Sequence, residues 1–245
     1  MGQAPVLLSA SYKDTNGDGT VNRIDAVYDK DLTGSAFESG DWTFPANPAS
    51  LSVGSGAFSG STVQIIVTGA PANTTVLATT TVKYTNQGIL NSITDGTNPA
   101  VTSGDVTVSD TAPPAIIAAN TLDSDKDGQI DQILVTLSEA ITDGSSTLNN
   151  TTFTVAGYTV SNTTTGASAN DNKVLITLTE SGSADTDATP NVVLVAAKIS
   201  DGSSALASDQ TFTGTTDGVA PAISATATLD SDKDGQIDQI LVTLS

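Results

Sequence analysis

Apolar residues recur at every second position in short runs of this chain: Ile24, Ala26 and Tyr28; Ile133, Val135 and Leu137; Ile240, Val242 and Leu244. That period belongs to a β-strand with one buried face. Runs rich in Val, Ile, Thr, Phe and Tyr are bounded by Gly, Asn, Asp and Ser, the residues of turns. The pattern predicts strands near 6–12, 21–29, 41–44, 51–53, 62–68, 75–84 and 105–109. A second series is predicted near 115–121, 130–138, 151–156, 158–163, 173–179, 191–197 and 209–215. No stretch carries a convincing helical period. The expected class is all-β.

The two series are copies of one unit. Pro5, Pro114 and Pro221 align, each ahead of a short apolar run: Val6-Leu7-Leu8, Ala115-Ile116-Ile117 and Ala222-Ile223. Residues 121–138 and 228–245 are identical. The chain therefore divides into repeat 1 at 1–112, repeat 2 at 113–219, and an incomplete repeat 3 at 220–245 with two strands and the loop between them. Seven short strands in about 107 residues predict an immunoglobulin-like sandwich, in tandem, with two complete copies. The linkers, Ser109-Asp110-Thr-Ala-Pro113-Pro114 and Thr216-Asp217-Gly-Val-Ala-Pro221, are short and predict limited hinge motion.

Between the first two strands of every copy lies one acidic loop. The three read Asp14-Thr-Asn16-Gly-Asp18-Gly-Thr20-Val-Asn22, Asp123-Ser-Asp125-Lys-Asp127-Gly-Gln129-Ile-Asp131 and Asp230-Ser-Asp232-Lys-Asp234-Gly-Gln236-Ile-Asp238. Side-chain oxygens at positions 1, 3 and 5 point into one turn, and glycine at position 6 permits a sharp bend. Position 7 (Thr20, Gln129, Gln236) offers its backbone carbonyl and position 9 another side-chain oxygen. This is a Ca2+ pattern, and the expected cofactor is calcium. A helix-loop-helix calcium hand would place a bidentate Glu at position 12. Here that position is Asp25 in repeat 1 but Leu134 and Leu241 in the others. Other groups must complete the shell, and sandwich topology nominates Asp110 and Asp217 in the linkers. The loop with Asp185 and Asp187 is expected at the same pole. A cation there neutralises crowded carboxylates and helps to fix the angle between neighbouring repeats.

A Pro-initiated first strand, an Asp-x-Asp-x-Asp-Gly-x-Ile-Asp loop, the element Phe153-Thr-Val-Ala-Gly-Tyr158 and a closing Asp-x-x-x-Pro linker together resemble bacterial Ig-like domains. Those occur in tandem in surface-layer proteins, adhesins and other large secreted proteins. The resemblance covers the whole chain. Repeat 1 departs most, with Asn16 and Asn22 in its loop.

Composition narrows the function. A net charge of −19 repels nucleic acid and anionic membranes. Of 27 acids 24 are Asp, which suits tight metal loops better than a generic solubilising surface. With no Cys and no His, thiol and Ser-His-Asp catalysis, disulfides and ordinary zinc or copper sites are excluded. No apolar run is long enough to span a membrane. The start, Met1-Gly2-Gln3-Ala4-Pro5, lacks the basic and apolar parts of a signal peptide, so the chain reads as a mature or internal segment. Calcium loops favour the exterior, where the ion is millimolar.

The expected function is structural and not enzymatic: a calcium-stiffened segment of an extracellular bacterial or archaeal surface protein, in a stalk, surface layer or adhesin. One alternative is a self-assembling filament or tube subunit that uses the C-terminal hairpin for strand complementation. Another is a glycan- or ice-binding module. Trp42, the sole Trp, reads as core packing more readily than as a sugar platform. The Thr runs at 79–81 and 163–165 form no regular array. Expected partners are other copies of the chain or neighbouring Ig-like repeats, and a surface glycan or protein.

Overall fold

The computed structural model describes residues 2–88, 93–180 and 182–245. Compact packing divides the chain into two units, Met1–Ala115 and Ile116–Ser245. Both are all-β; the helical content among the described residues is two single 3-10 turns, Ser39–Asp41 and Asp143–Ser145.

In the first unit seven strands form one sheet in the order β3-β6-β7-β1-β2-β5-β4. They are β1 (Leu7–Lys13), β2 (Arg23–Tyr28), β3 (Trp42–Thr43), β4 (Ser52–Ser59), β5 (Thr62–Thr68), β6 (Thr81–Tyr84) and β7 (Val106–Asp110). All neighbours are antiparallel except β1 and β7, which run parallel with Tyr12 opposite Asp110. The sheet folds over at that joint. Tyr28 of β2 meets Tyr84 of β6 edge-on at 6.4 Å, although two strands separate them in the sheet. One core results, with Ile24, Val63, Ile65, Val82 and Tyr84 fully buried. Trp42 lies in it, 3% exposed, stacked on Phe37.

The second unit repeats this plan in two separate sheets. Strands β8 (Ile116–Leu122), β9 (Gln132–Leu137), β10 (Phe153–Val155), β11 (Thr159–Thr165), β12 (Lys173–Thr179), β13 (Val192–Leu194) and β14 (Gln210–Phe212) follow one another in sequence. The sheets are β11-β12-β9-β8 and β10-β13-β14. Residues of both enclose one core, a β-sandwich of four strands over three. Ile133, Val135 and Leu137 are all wholly buried, and each such side chain contributes about 2 kcal/mol of transfer free energy.

A hairpin completes the second unit: β15 (Ile223–Leu229) and β16 (Gln239–Leu244), antiparallel. It is anchored at its base. Ser245 donates its N–H to Ala222 O at 2.8 Å, and its hydroxyl meets that of Thr186 at 2.9 Å. Its strands are exposed throughout.

The strands predicted at 151–156, 191–197 and 209–215 are shorter in the structure, Phe153–Val155, Val192–Leu194 and Gln210–Phe212, and two others differ for a visible physical reason. The predicted strand at 75–84 is paired only from Thr81, because Leu77 is buried yet its N–H goes to the Tyr12 hydroxyl instead of a ladder. The strand expected at 51–53 continues to Ser59 through Gly54 and Gly56. The Phe37 ring covers Gly56 so closely that a Cβ there would lie 2.2 Å from it. That contact explains a glycine inside a strand.

Candidate metal centre

Each acidic loop is the turn of a hairpin, joining β1 to β2, β8 to β9 and β15 to β16. One backbone bond closes each turn: Asn22 N–H to Lys13 O, Asp131 N–H to Leu122 O and Asp238 N–H to Leu229 O, at 2.9–3.1 Å. The loop needs left-handed backbone at positions 4 and 6. Loop 1 supplies Gly17 and Gly19; loops 2 and 3 force Lys126 (φ 66°) and Lys233 (φ 63°) into it, ahead of Gly128 and Gly235. The Asp at position 1 braces this turn. Its two oxygens accept the N–H groups of positions 4 and 6: Gly17 and Gly19 on Asp14, Lys126 and Gly128 on Asp123, Lys233 and Gly235 on Asp230. The Asp at position 5 takes the N–H of position 7 in all three loops.

Loop 2 takes part in two acidic triads that share Asp125. Oxygens of Asp123, Asp125 and Asp127 lie within 4.8 Å of one another, and so do those of Asp125, Asp131 and Glu180. Glu180 follows β12, and strand register delivers it. Thr177 stands opposite Gln132, and Leu178 donates its N–H to Asp131 O. Asp127, first, and then desolvation raise the Glu180 carboxyl above its usual range; Asp125, Asp131 and Asp123 add to the shift. Desolvation, then Asp127, raises Asp125. None of these acids forms an ion pair with a Lys or Arg among the described residues. Beside them, the Gln129 Oε1 is buried without a hydrogen-bond partner. The donors are all hard oxygens, the chemistry of Ca2+ or Mg2+ rather than of soft metals.

A second layer holds loop 2 in shape. Asp185 accepts the Ile130 N–H at 2.7 Å and the Tyr158 hydroxyl at 2.8 Å, and its own N–H binds Gly128 O. Desolvation, then the bond to Asp185, raises the Tyr158 phenol.

Loop 3 has the same internal geometry and a cluster of Asp230, Asp232 and Asp234. Asp238 is held low by the hydroxyl and N–H of Ser231.

Loop 1 is different. The Asn22 amide donates to Asn16 Oδ1, and the Asn16 amide donates to Asp18 Oδ2, both at 2.8 Å. Amide hydrogens thus occupy directions in which loops 2 and 3 present carboxylates. Asp14 is buried, and desolvation raises its carboxyl against the pull of Gly19 and Gly17. Asp25 lies in β2, where Arg23 pairs with it at 2.7 Å. Asp110 accepts the N–H of Ala112, and Asp217 that of Val219. Among the described residues, no three-acid cluster joins Asp110 to loop 1 or Asp217 to loop 2.

No protein-family model matches the chain, and a search of curated proteins found no match either. Among the described residues no helix is long and apolar enough to cross a membrane.

Proposed function

We propose that this chain is a calcium-stiffened structural segment of an extracellular surface protein, built of tandem Ig-like sandwiches. One observation carries the reading. Asp123, Asp125, Asp127, Asp131 and Glu180 converge from a strained loop and a neighbouring strand without an ion pair to any Lys or Arg among the described residues. Five carboxylates so placed repel one another until a divalent cation sits among them. A cation there ties the β8–β9 turn to the end of β12 and stiffens one pole of the sandwich. The arrangement of four strands over three supports the Ig-like assignment. The Asp-dominated acidity and the absence of Cys and His suit a stalk, surface layer or adhesin outside the cell, with other Ig-like repeats as neighbours. The role is mechanical and not catalytic.

Calorimetry with Ca2+ should find at least two sites on the 245-residue chain, and excess chelator should lower its melting temperature by many degrees. A melting curve unchanged by chelator rejects the reading. Tight binding of Mg2+ in place of Ca2+ rejects the choice of ion.

A further inference from the structure

Loop 1 departs from loops 2 and 3 at Asn16, Gly17 and Asn22. Asn16 and Gly17 stand where the others have Asp125-Lys126 and Asp232-Lys233, and Asn22 stands where they have Asp131 and Asp238. The backbone does not demand the glycine. Gly17 has φ 69°, and Lys126 and Lys233 adopt the same conformation at 66° and 63°. Asn16 is exposed, and it is the only asparagine of the chain followed by glycine. That pair is chemically labile. Glycine lacks the Cβ that would keep its nitrogen from the carbonyl carbon of the preceding side chain, and asparagine is a thermolabile residue.

The contacts of loop 1 meet each atom whose charge changes when the Gly17 nitrogen attacks the Asn16 side chain. The Gly17 N–H donates to Asp14 Oδ1 at 2.8 Å, so a carboxylate already faces the proton that the nitrogen must lose. The Asn22 amide donates to Asn16 Oδ1 at 2.8 Å, where negative charge develops. The orientation of Asn22 is fixed, because its own Oδ1 accepts the Thr15 N–H at 3.1 Å. The Asn16 side-chain nitrogen, which leaves, donates to Asp18 Oδ2 at 2.8 Å.

We propose that Asn16 is a site of spontaneous deamidation, at which loop 1 converts from an amide-bridged loop to an acidic one. The Gly17 nitrogen forms a bond to Cγ of Asn16 and gives up its proton. The Cγ–Nδ2 bond breaks, and Nδ2 takes up a proton and departs as ammonia. The product is a cyclic imide, which water opens. Opening at Cγ leaves aspartate. Opening at the main-chain carbonyl leaves isoaspartate, whose backbone runs through the side chain. Water is the only co-reactant. The aspartate form carries carboxylates at positions 1, 3 and 5, as loops 2 and 3 do. On the calcium reading, on which this last step rests, conversion gives loop 1 the acid set of the other two.

Trypsin cuts after Lys13 and Arg23 and releases residues 14–23 as one peptide. After incubation of the folded chain at mildly alkaline pH, this peptide should be the first to gain the mass of an amide-to-acid exchange. Ammonia should appear in equal amount, and fragmentation should place the change at Asn16 and not at Asn22. Gly17→Lys copies position 4 of the other loops, so the fold accepts it. Its side chain hinders the attacking nitrogen and should slow conversion by about tenfold or more. Asn22→Asp copies their position 9, removes the donor to Asn16 and should slow conversion severalfold. A mass gain that appears only in urea overturns the proposal, since the folded loop then shields Asn16. So does a gain spread evenly over the exposed asparagines, or one undiminished in both variants. Asn16→Asp supplies the acid product directly. Its Trp42 transition should fall with chelator where that of the fresh chain does not. If it stays in place, the calcium reading of loop 1 fails, and the mass gain alone decides the deamidation.

Discussion

Carboxylate oxygens of Glu180 and Asp131 lie within 4.8 Å of each other, although one residue follows β12 and the other ends the loop before β9. The antiparallel register between those strands makes them neighbours. The acidic loop alone is a hairpin turn; with Glu180 it is a clasp between two hairpins. Loop 3 has the same turn and, among the described residues, no such Glu in its cluster. The two identical loops should therefore differ in affinity.

Glu180→Gln tests that difference. It keeps the shape of the side chain and removes one negative charge. Ca2+ should bind repeat 2 about tenfold more weakly, a loss of roughly 1.4 kcal/mol. Calorimetry should show the tighter site weakened and the weaker one unmoved. The metal-free protein should gain slightly in stability, because the crowding that raises the Glu180 carboxyl is relieved.

The two units should respond unequally to chelation. Amides of Asn16 and Asn22 bridge side chains across loop 1, whereas loop 2 faces carboxylate against carboxylate. Trp42 is the sole tryptophan and is buried in the first unit, so its fluorescence follows that unit alone. Circular dichroism follows both. Chelator should leave the fluorescence transition nearly in place and lower the second transition, by about 4 °C for each kcal/mol of lost binding. A fluorescence transition that moves as far as the second one contradicts this account of loop 1.

Acid should stabilise the second unit in chelator and destabilise it in calcium. Glu180 and Asp125 have raised carboxyl pKa values in the folded, metal-free chain. The folded state then binds more protons than the unfolded state just above the ordinary carboxylate range, so stability rises as pH falls toward that range. With Ca2+ bound the sign reverses, because protons compete with the ion for the same oxygens. Melting temperatures measured downward from pH 7 with and without chelator should converge.

Much of this was legible in the chain itself. Alternation at Ile24, Ala26 and Tyr28 and at Ile133, Val135 and Leu137 marked strands whose inner faces are buried as expected. The spacing of Asp123, Asp125 and Asp127 marked one cluster. Glu180 was not legible, because its place depends on a strand register that only the folded sandwich defines. Asn16 and Asn22 match the motif as oxygen donors, yet an amide also donates, and here both do. Periodicity at 75–80 marked burial without pairing: Leu77 is in the core while its backbone leaves the ladder.

Ile133 and Ile240 provide the sharpest contrast, since each sits in the same eighteen residues of sequence and only its surroundings differ. Ile133 is 0% exposed between two sheets, and Ile240 is 67% exposed on the hairpin. Truncating a buried Ile removes its transfer free energy and leaves a cavity, so Ile133→Ala should destabilise the second unit by about 3 kcal/mol. Ile240→Ala removes a methyl-rich surface that water already reaches. At low concentration it should change the unfolding free energy by less than about 0.5 kcal/mol. Urea unfolding of the two variants measures both effects. If Ile240→Ala costs as much as Ile133→Ala, the hairpin is covered within its own chain.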